Sequence, residues 1–288
     1  MHTISSSTEI TAISKQARGA NQRIGFVPTM GALHAGHISL VRAARAQSDV
    51  VIVSIFVNPL QFGPQEDFSK YPRTLERDCA LLAAENVDYV FAPSVEEMYP
   101  QGACTWVTVE GITDRLDGRS RPGHFRGVST VVSKLFHIVQ PDLAFFGQKD
   151  AAQAAISQKM VSDLNFDVRI VVCPTVRESD GLAMSSRNAY LDPTQRQQAT
   201  VLYRALMRVQ ALADQGESNA GKLLAAGKLV IVEEPSIRLD YFEIVDRDTL
   251  EPVAKTSRGA LVAVAAYVGE TRLIDNIVLP KPAIEPYR

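Results

Sequence analysis

Short runs of β-branched residues alternate with longer stretches of helical periodicity from Arg23 to about Val172. This alternation is typical of βαβ units around a parallel sheet. The run VVIVSIFV is apolar on both faces, which indicates a strand in the middle of the sheet with helices on both sides. The pattern predicts strands at 24–29, 49–57, 87–92, 106–109, 143–146 and 169–172. It predicts helices at 36–47, 74–86, 128–139 and 151–164.

The pattern of predicted helices and strands changes after Pro174. A polar loop at 177–188 precedes helix-rich sequence at 193–229, and three alternating stretches follow at 239–245, 260–267 and 271–277. Helices followed by strands are typical of an α+β unit with an antiparallel sheet. We therefore predict a Rossmann-like α/β domain at 1–176, with a parallel sheet covered by helices on both faces, and a smaller C-terminal α+β lid domain at 177–288.

Composition narrows the classes of partner. The 30 basic and 32 acidic residues give a formal net charge of -2, so there is no bulk positive field to hold a nucleic acid. Cys79, Cys104 and Cys173 form no CxxC pair and no even set, which fits a reducing compartment. The first ten residues lack the pattern of a secretory signal, and no run approaches the ~18 apolar residues of a membrane span. The sequence predicts a cytoplasmic protein without nucleic-acid or membrane partners.

The segment PTMGALHAGH carries the strongest chemical signal. It runs from the end of the first predicted strand through a glycine-containing turn into a helix, and helix N-termini suit phosphate. Gly31 and Gly36 have P-loop spacing, but His37 and Ile38 stand where Lys-[ST] is required. His34 and His37 can share one side of the first helical turn and donate to a phosphate. They could also be ordinary loop residues or metal ligands, although no third zinc ligand lies nearby.

Further motifs in one order narrow the match. HxGH after the first strand resembles the HIGH-type nucleotidyltransferases and adenylate-forming enzymes. With it stand VNPLQFG, YPRT, RPGHFRGV, FFGQKDAAQ, AMSSRN and TRLIDN, from residue 57 to residue 276. Together these segments resemble the pantothenate synthetase family over about residues 23 to 280. The resemblance implies condensation of pantoate with β-alanine, with ATP and Mg²⁺, through a pantoyl-adenylate that releases AMP and pyrophosphate. It also implies a homodimer.

The resemblance assigns roles to residues of this chain. It gives His37 an acid role and His34 a phosphate contact, and it places pantoate and β-alanine against Gln61 and Gln153. The charge of Lys149 can neutralise phosphate, which makes this lysine a third catalytic candidate. Apart from the resemblance, Asp78, seven residues after Tyr71, is a candidate for positioning Mg²⁺. The residues implied for ATP are Met30, Gly31, Ala32, Leu33, His34, Ala35, Gly36, His37, Gly147, Gln148, Lys149, Asp150, Val176, Met184, Ser185, Ser186 and Arg187.

Residue chemistry is compatible with these roles but leaves alternatives open. The neutral amides of Gln61 and Gln153 suit hydroxyls and a carboxylate that loses its charge on activation. Asp150 can accept from ribose hydroxyls or can cap a helix. Asp78 is equally compatible with a solvated carboxylate on a helix.

The polar segment around the two serines suits a mobile loop over the phosphates, and a plain linker is the alternative. His124 could line the site, whereas Trp106 is expected in the core and His137 in a structural role. A nucleotidyltransferase acting on a phosphorylated acceptor and a non-catalytic nucleotide-binding protein are the rival functions.

Overall fold

The structure, a computed structural model, describes residues 1–63 and 66–280. Residues 64–65 of the predicted polar loop and the predicted domain end at 288 lie outside the described residues. The strands of the described part are β1 (His2–Ile4), β2 (Ile24–Thr29), β3 (Val50–Ile55), β4 (Tyr89–Phe91), β5 (Leu143–Gly147), β6 (Arg169–Cys173), β7 (Ile237–Val245), β8 (Ala260–Val268) and β9 (Thr271–Leu279).

Helices connect these strands. Those longer than one turn are α1 (Ser7–Gly19), α2 (Ala35–Arg45), α3 (Leu75–Ala84), α6 (His124–Val139), α7 (Ala151–Asp163), α8 (Pro193–Gln198), α9 (Val201–Asp214) and α10 (Ala220–Val232). Two single-turn helices are α4 (Val95–Met98) and α5 (Asp117–Ser120). In the described residues, no helix is long and apolar enough to cross a membrane.

The larger sheet has the order β1-β4-β3-β2-β5-β6, and all of its pairings are parallel. Strand β3 lies between β4 and β2, which confirms that the apolar run belongs inside the sheet. Successive side chains of β2 face opposite sides: Phe26 joins a core with α1, α6 and α7, while Val27 joins a core with α2 and α3. The predicted parallel sheet with helices on both faces is confirmed.

Two predictions of the sequence analysis fail near residue 106. No strand forms at 106–109, although three of these four residues are β-branched. Trp106 is 42% exposed rather than in the core, and the Arg126 guanidinium lies 4.1 Å from its ring centroid.

Strand β1 and helix α1 were not predicted, and α6 begins four residues before the predicted helix start at 128. His137 is exposed, with its ring centroid 5.0 Å from that of Phe166.

The smaller sheet is antiparallel, in the order β7-β8-β9. Alternate side chains of β8 again separate: Val262 and Val264 pack with α9 and α10, while Ala263 and Ala265 join the core that contains α6 and α7. The small sheet therefore lies between its own helices and the body of the larger sheet. This is the expected α+β unit, and the domain boundary near residue 176 stays a prediction.

Candidate active site

Four neighbouring parallel strands end beside one cleft. The chain leaves β2 into the HxGH turn, β3 into the turn at 58–61, β5 into Gly147, and β6 into Pro174. Ligands of open α/β sheets bind at this carboxyl edge. A loop at 184–187, which we call the serine loop, closes the cleft from the C-terminal part of the chain. The predicted residues that line the cleft are Met30, His34, Gly36, His37, Gln61, Gly147, Lys149, Asp150, Gln153, Val176, Met184, Ser185, Ser186 and Arg187.

A buried carboxylate holds the turn after β2. Gly31 and Ala32 both have left-handed backbone conformations, with φ of 82° and 51°. An alanine in that region is strained. The Asp78 carboxylate accepts from the N–H groups of Ala32 and Leu33, both at 2.9 Å, and from the Thr74 hydroxyl at 3.1 Å. These charge-assisted bonds offset the strain of the turn.

The position of Asp78 bears on its predicted role. Its side chain is 0% exposed, so the alternative of a solvated carboxylate is wrong. Both oxygens accept from the protein, and the residue lies behind the turn rather than on the lining of the cleft. The described residues contain no group of three or more His, Cys, Asp or Glu that could hold a metal ion. The structure thus gives Asp78 a role in shaping the turn.

The two histidines of HxGH form a reciprocal cap at the start of α2. Nδ1 of His34 accepts from the N–H of Gly36 at 3.1 Å, and Nδ1 of His37 accepts from the N–H of His34 at 3.3 Å. A backbone N–H can only donate, so in each neutral ring the proton is on Nε2. Gly36 is required here, because a Cβ would lie 2.8 Å from Cε1 of His34.

Electrostatics keeps both rings neutral. Burial, followed by the nearby Lys149 ammonium, lowers the pKa of His34 to about 4. Burial and the adjacent His34 lower the pKa of His37 to about 3. The ring centroids lie 4.2 Å apart, which makes a second positive charge costly. The site therefore presents two neutral N–H donors at a helix N-terminus.

Lys149 and Asp150 follow β5 on a single 3₁₀ turn. Their charged groups lie 3.6 Å apart, and both line the cleft. Asp150 occupies the N-cap position of α7, but its side chain makes no capping hydrogen bond, so its oxygens remain available to a ligand. Asp150 is the one carboxylate among the described lining residues.

The two glutamines approach the cleft from different elements. Gln61 is buried on the turn after β3, where Nδ2 of Asn58 donates to its Oε1 at 3.1 Å. Gln153 lies half-buried in the first turn of α7. The structure brings these side chains to one cleft, as the sequence predicted. Sequence reasoning assigned no role to Asn58, although it is the second residue of VNPLQFG and an amide beside Gln61.

The serine loop is folded over the cleft in this structure. Arg187 donates to the two carboxylate oxygens of Asp67 at 2.9 and 3.1 Å, and its guanidinium carbon Cζ lies 6.0 Å from the centroid of the Tyr71 ring. The Ser186 hydroxyl lies 3.4 Å from that of Tyr71. The Val176 carbonyl accepts from the N–H of Met184 at 3.0 Å. Asp67 and Tyr71 thus hold the loop against the segment at 67–71. Sequence reasoning assigned no role to Asp67 and quoted Tyr71 only as the first residue of YPRT.

A second layer behind the cleft comes from β9. Asn276 donates to the carbonyls of Gln148 and Lys149, both at 2.9 Å, and accepts from the Gln148 side chain at 2.9 Å. Arg177 forms a bidentate pair with the buried Asp275 at 2.6 and 2.9 Å. Asp275 and Asn276 lie within a quoted motif and Arg177 does not, and only the fold shows what they contact.

Several predicted ATP residues do not line the cleft. Leu33 is 2% exposed and packs in the core with α2, so only its backbone serves the turn. The side chain of Gln148 is occupied by Asn276. Gly31, Ala32 and Ala35 shape the turn and the start of α2 without lining the cleft.

Comparisons with known proteins identify the family of the chain. Residues 2–278 match the family model described as pantoate-beta-alanine ligase. The chain is 64% identical over 279 residues to a pantothenate synthetase of Koribacter versatilis, covering 97% of this chain and 96% of that relative. The crystal structure of the Thermus thermophilus enzyme matches with a TM-score of 0.92 and 51% identity, covering 96% and 99% of the two chains.

A third match is a pantoate-beta-alanine ligase of Francisella tularensis whose structure is described as complexed with beta-gamma ATP and beta-alanine. Its TM-score is 0.80 at 36% identity, and the match covers 96% of this chain and 97% of that one. The family model and these relatives span nearly the whole chain, including every element that surrounds the cleft. The chain belongs to the pantoate-beta-alanine ligase family.

Proposed function

We propose that this chain joins (R)-pantoate to β-alanine at the expense of ATP, through a pantoyl-adenylate. Its membership of a family of pantothenate-forming ligases supports the overall reaction. The observation that carries the adenylate route is the pair of neutral Nε2–H donors at the start of α2, beside Lys149 and beneath the serine loop. Together they offer a set of donors to a phosphate chain.

In the first step, a carboxylate oxygen of pantoate attacks the α-phosphorus of ATP, and the bond from that phosphorus to the bridging oxygen breaks to release pyrophosphate. His34 and His37 donate to phosphate oxygens as charge builds there. Because both rings are neutral, the acid role suggested for His37 becomes one of hydrogen-bond donation. Lys149 supplies positive charge, and Arg187 can exchange Asp67 for a phosphate.

In the second step, the β-alanine amine attacks the acyl carbon, the bond to the phosphate oxygen breaks, and AMP leaves while the amine loses a proton. Gln61 and Gln153 hold pantoate through both steps. Their amides are neutral, so they bind hydroxyls and carbonyl oxygens without stabilising the negative charge of the carboxylate, which would make it a weaker nucleophile. Catalysis rests on positioning and on fixed donors, with no covalent enzyme intermediate.

Mg²⁺ fits this site as a companion of ATP. Magnesium keeps several waters and is usually held by one or two carboxylates together with substrate phosphates. Asp150 is available for that purpose, whereas the oxygens of Asp78 are used by the turn. When bound, the ion would neutralise charge on the phosphates. The homodimer and the cytoplasmic location expected from the sequence belong to this same proposal.

Isotope exchange tests the adenylate route. Labelled pyrophosphate should enter ATP when only pantoate and Mg²⁺ are present, and AMP should be the nucleotide product once β-alanine is added. Omitting pantoate should abolish the exchange, and His34→Gln with His37→Gln should reduce it strongly. Exchange that requires β-alanine, or formation of ADP, would contradict the two-step route. Transfer of AMP to a phosphorylated acceptor would instead support the rival nucleotidyltransferase.

A further inference from the structure

The main-chain carbonyl of Gln61 is held by two side chains that precede or begin α6. The ring atom Nδ1 of His124 lies 2.7 Å from this oxygen, and Nη2 of Arg121 donates to it at 3.3 Å. Neither residue is on the lining of the cleft. His124 therefore does not line the site as the sequence suggested, but contacts the backbone of a residue that does.

The contacts of His124 define its tautomer. Nη1 of Arg121 lies 3.1 Å from Nε2 of the imidazole, and a guanidinium has donors only. Nε2 must then be the acceptor, which leaves the ring proton on Nδ1, facing the Gln61 carbonyl. Burial and the neighbouring Arg121 lower the pKa of His124 to about 4, in agreement with a neutral ring.

Arg121 is itself fixed on its other side. It forms a bidentate pair with Glu66 at 2.6 and 2.7 Å, and both side chains are largely enclosed. Burial alone would raise the pKa of Glu66, but the hydrogen bonds and charge of Arg121 outweigh it and lower that pKa. The guanidinium thus donates to Glu66, to His124 and to the Gln61 carbonyl, and these three contacts determine its orientation.

The same turn is held from a second direction. Nδ2 of Asn58 donates both to Oε1 of Gln61 and to the carbonyl of Gly127, each at 3.1 Å. Gly127 lies so close that a Cβ would be 2.2 Å from the Leu60 carbonyl oxygen. Helix α6 therefore contacts both the main chain and, through Asn58, the side chain of Gln61.

We propose that His124 and Arg121 are positioning residues for the acid substrate: the Nδ1–H of His124, oriented by Arg121, fixes the Gln61 main chain so that its amide meets pantoate. The inference rests on the proposed function, because it takes Gln61 as a pantoate contact. Binding sites of this kind need their supporting contacts, since small misplacements of a contacting group cost large factors in rate.

Three variants of one residue test the position of the donor. His124→Asn places an amide N–H near the position of Nδ1, whereas His124→Gln places it near Nε2, and His124→Ala removes it. We expect the alanine and glutamine variants to raise KM for pantoate about tenfold, the scale for losing one partly buried hydrogen bond. KM for ATP and for β-alanine should change less than about twofold, and His124→Asn should recover most of the affinity for pantoate.

Several outcomes would overturn the inference. An unchanged KM for pantoate in the glutamine variant, an equal rise in KM for ATP, a rise confined to β-alanine, or an asparagine variant as impaired as glutamine would each do so. The asparagine and glutamine variants keep a polar side chain of similar size, so the comparison stands even if the alanine variant does not fold. Pantoate-dependent pyrophosphate exchange by the unaltered chain, measured in parallel, tests the proposed function separately.

Discussion

Replacing Arg177 by methionine should destabilise the protein far more than a typical surface charge change. The guanidinium donates to both oxygens of Asp275, to the Gly181 carbonyl at 3.0 Å and to the Asn276 carbonyl at 3.2 Å. Asp275 is 3% exposed, so its carboxylate depends on this partner. Burial already raises the pKa of Asp275 despite the opposing effect of Arg177. Without the guanidinium, the ionised carboxylate loses its charged partner and keeps the hydrogen bond from the Asn276 N–H at 2.7 Å, which compensates it only in part.

The expected magnitude follows from the environment of the pair. Removing one partner of a buried ion pair costs about 3–5 kcal/mol, and protonation of the remaining carboxyl limits that cost. Lys159 and Asp163 supply a matched control, because their side chains are 54% and 47% exposed at a separation of 2.6 Å. Such a surface pair contributes about 0–1 kcal/mol. Lys159→Met should therefore leave the free energy of unfolding nearly unchanged.

Urea denaturation provides the measurement, with tryptophan fluorescence and circular dichroism followed together. Coincident transitions and equal m-values are needed before the free energies of unfolding are compared. Adding Asp275→Asn to the Arg177 variant should recover part of the loss, because the uncompensated charge is then gone. If Arg177→Met costs no more than Lys159→Met, or if Asp275→Asn recovers nothing, the buried pair does not stabilise the fold as argued.

Three further predictions concern the cleft. His37→Ala should lower turnover by about 10²–10⁴-fold in a variant with a native melting profile, because a fixed donor to the reacting phosphate is lost; steady-state kinetics with a loss below tenfold would contradict this. Gln153→Ala should greatly weaken pantoate binding and leave ATP binding nearly intact; calorimetric titrations that show equal weakening of both ligands would indicate a general defect. The two histidines should contribute fully to the free energy of unfolding above about pH 6.5, and that contribution should fall as the pH decreases. The reason is that histidines of the unfolded chain take up protons near their pKa of about 6.5, whereas the pKa values of folded His34 and His37 are about 4 and about 3. The double variant His34→Gln/His37→Gln should show a shallower pH dependence of the free energy of unfolding, measured by urea denaturation at pH 7 and pH 5. An equal difference between the two pH values in the variant and in the unaltered chain would refute the assignment.

Much of the fold was predictable because the larger sheet has strong local signals. Strand β3 is apolar on both faces, and the turn after β2 combines glycines with the start of a helix. The first elements were missed because β1 has only three residues and α1 buries only Ile10, Ser14 and Ala17. The predicted strand at 106–109 failed because β propensity cannot supply a pairing partner. Its backbone runs beside α6, where the Val107 N–H donates to a threonine hydroxyl.

The site, like the fold, was predictable from the sequence only in part. Residues immediately after strands were predictable, because parallel strands end at a common edge. Contacts between distant segments were not: Asn276 holds a turn that is 127 residues earlier, and His124 holds a carbonyl 63 residues earlier. The tautomers of His34 and His37 also required geometry, since they depend on which ring nitrogen accepts a backbone N–H. A sequence motif names the chemical group but not the protonated atom.

The two halves of the cleft are anchored by different parts of the chain, which bears on the predicted lid. Helix α6 holds Gln61 from within the body of the larger sheet, whereas Asn276 on β9 holds the turn that carries Lys149. One face of the small sheet shares a continuous core with α6 and α7, so a large displacement of the whole unit would expose apolar surface. The serine loop is attached by polar contacts instead: the ion pair of Arg187 with Asp67, the contact of the Ser186 and Tyr71 hydroxyls, and one backbone hydrogen bond from Met184. We therefore expect closure over ATP to involve exchange of that pair for phosphate contacts, while the small sheet stays in place.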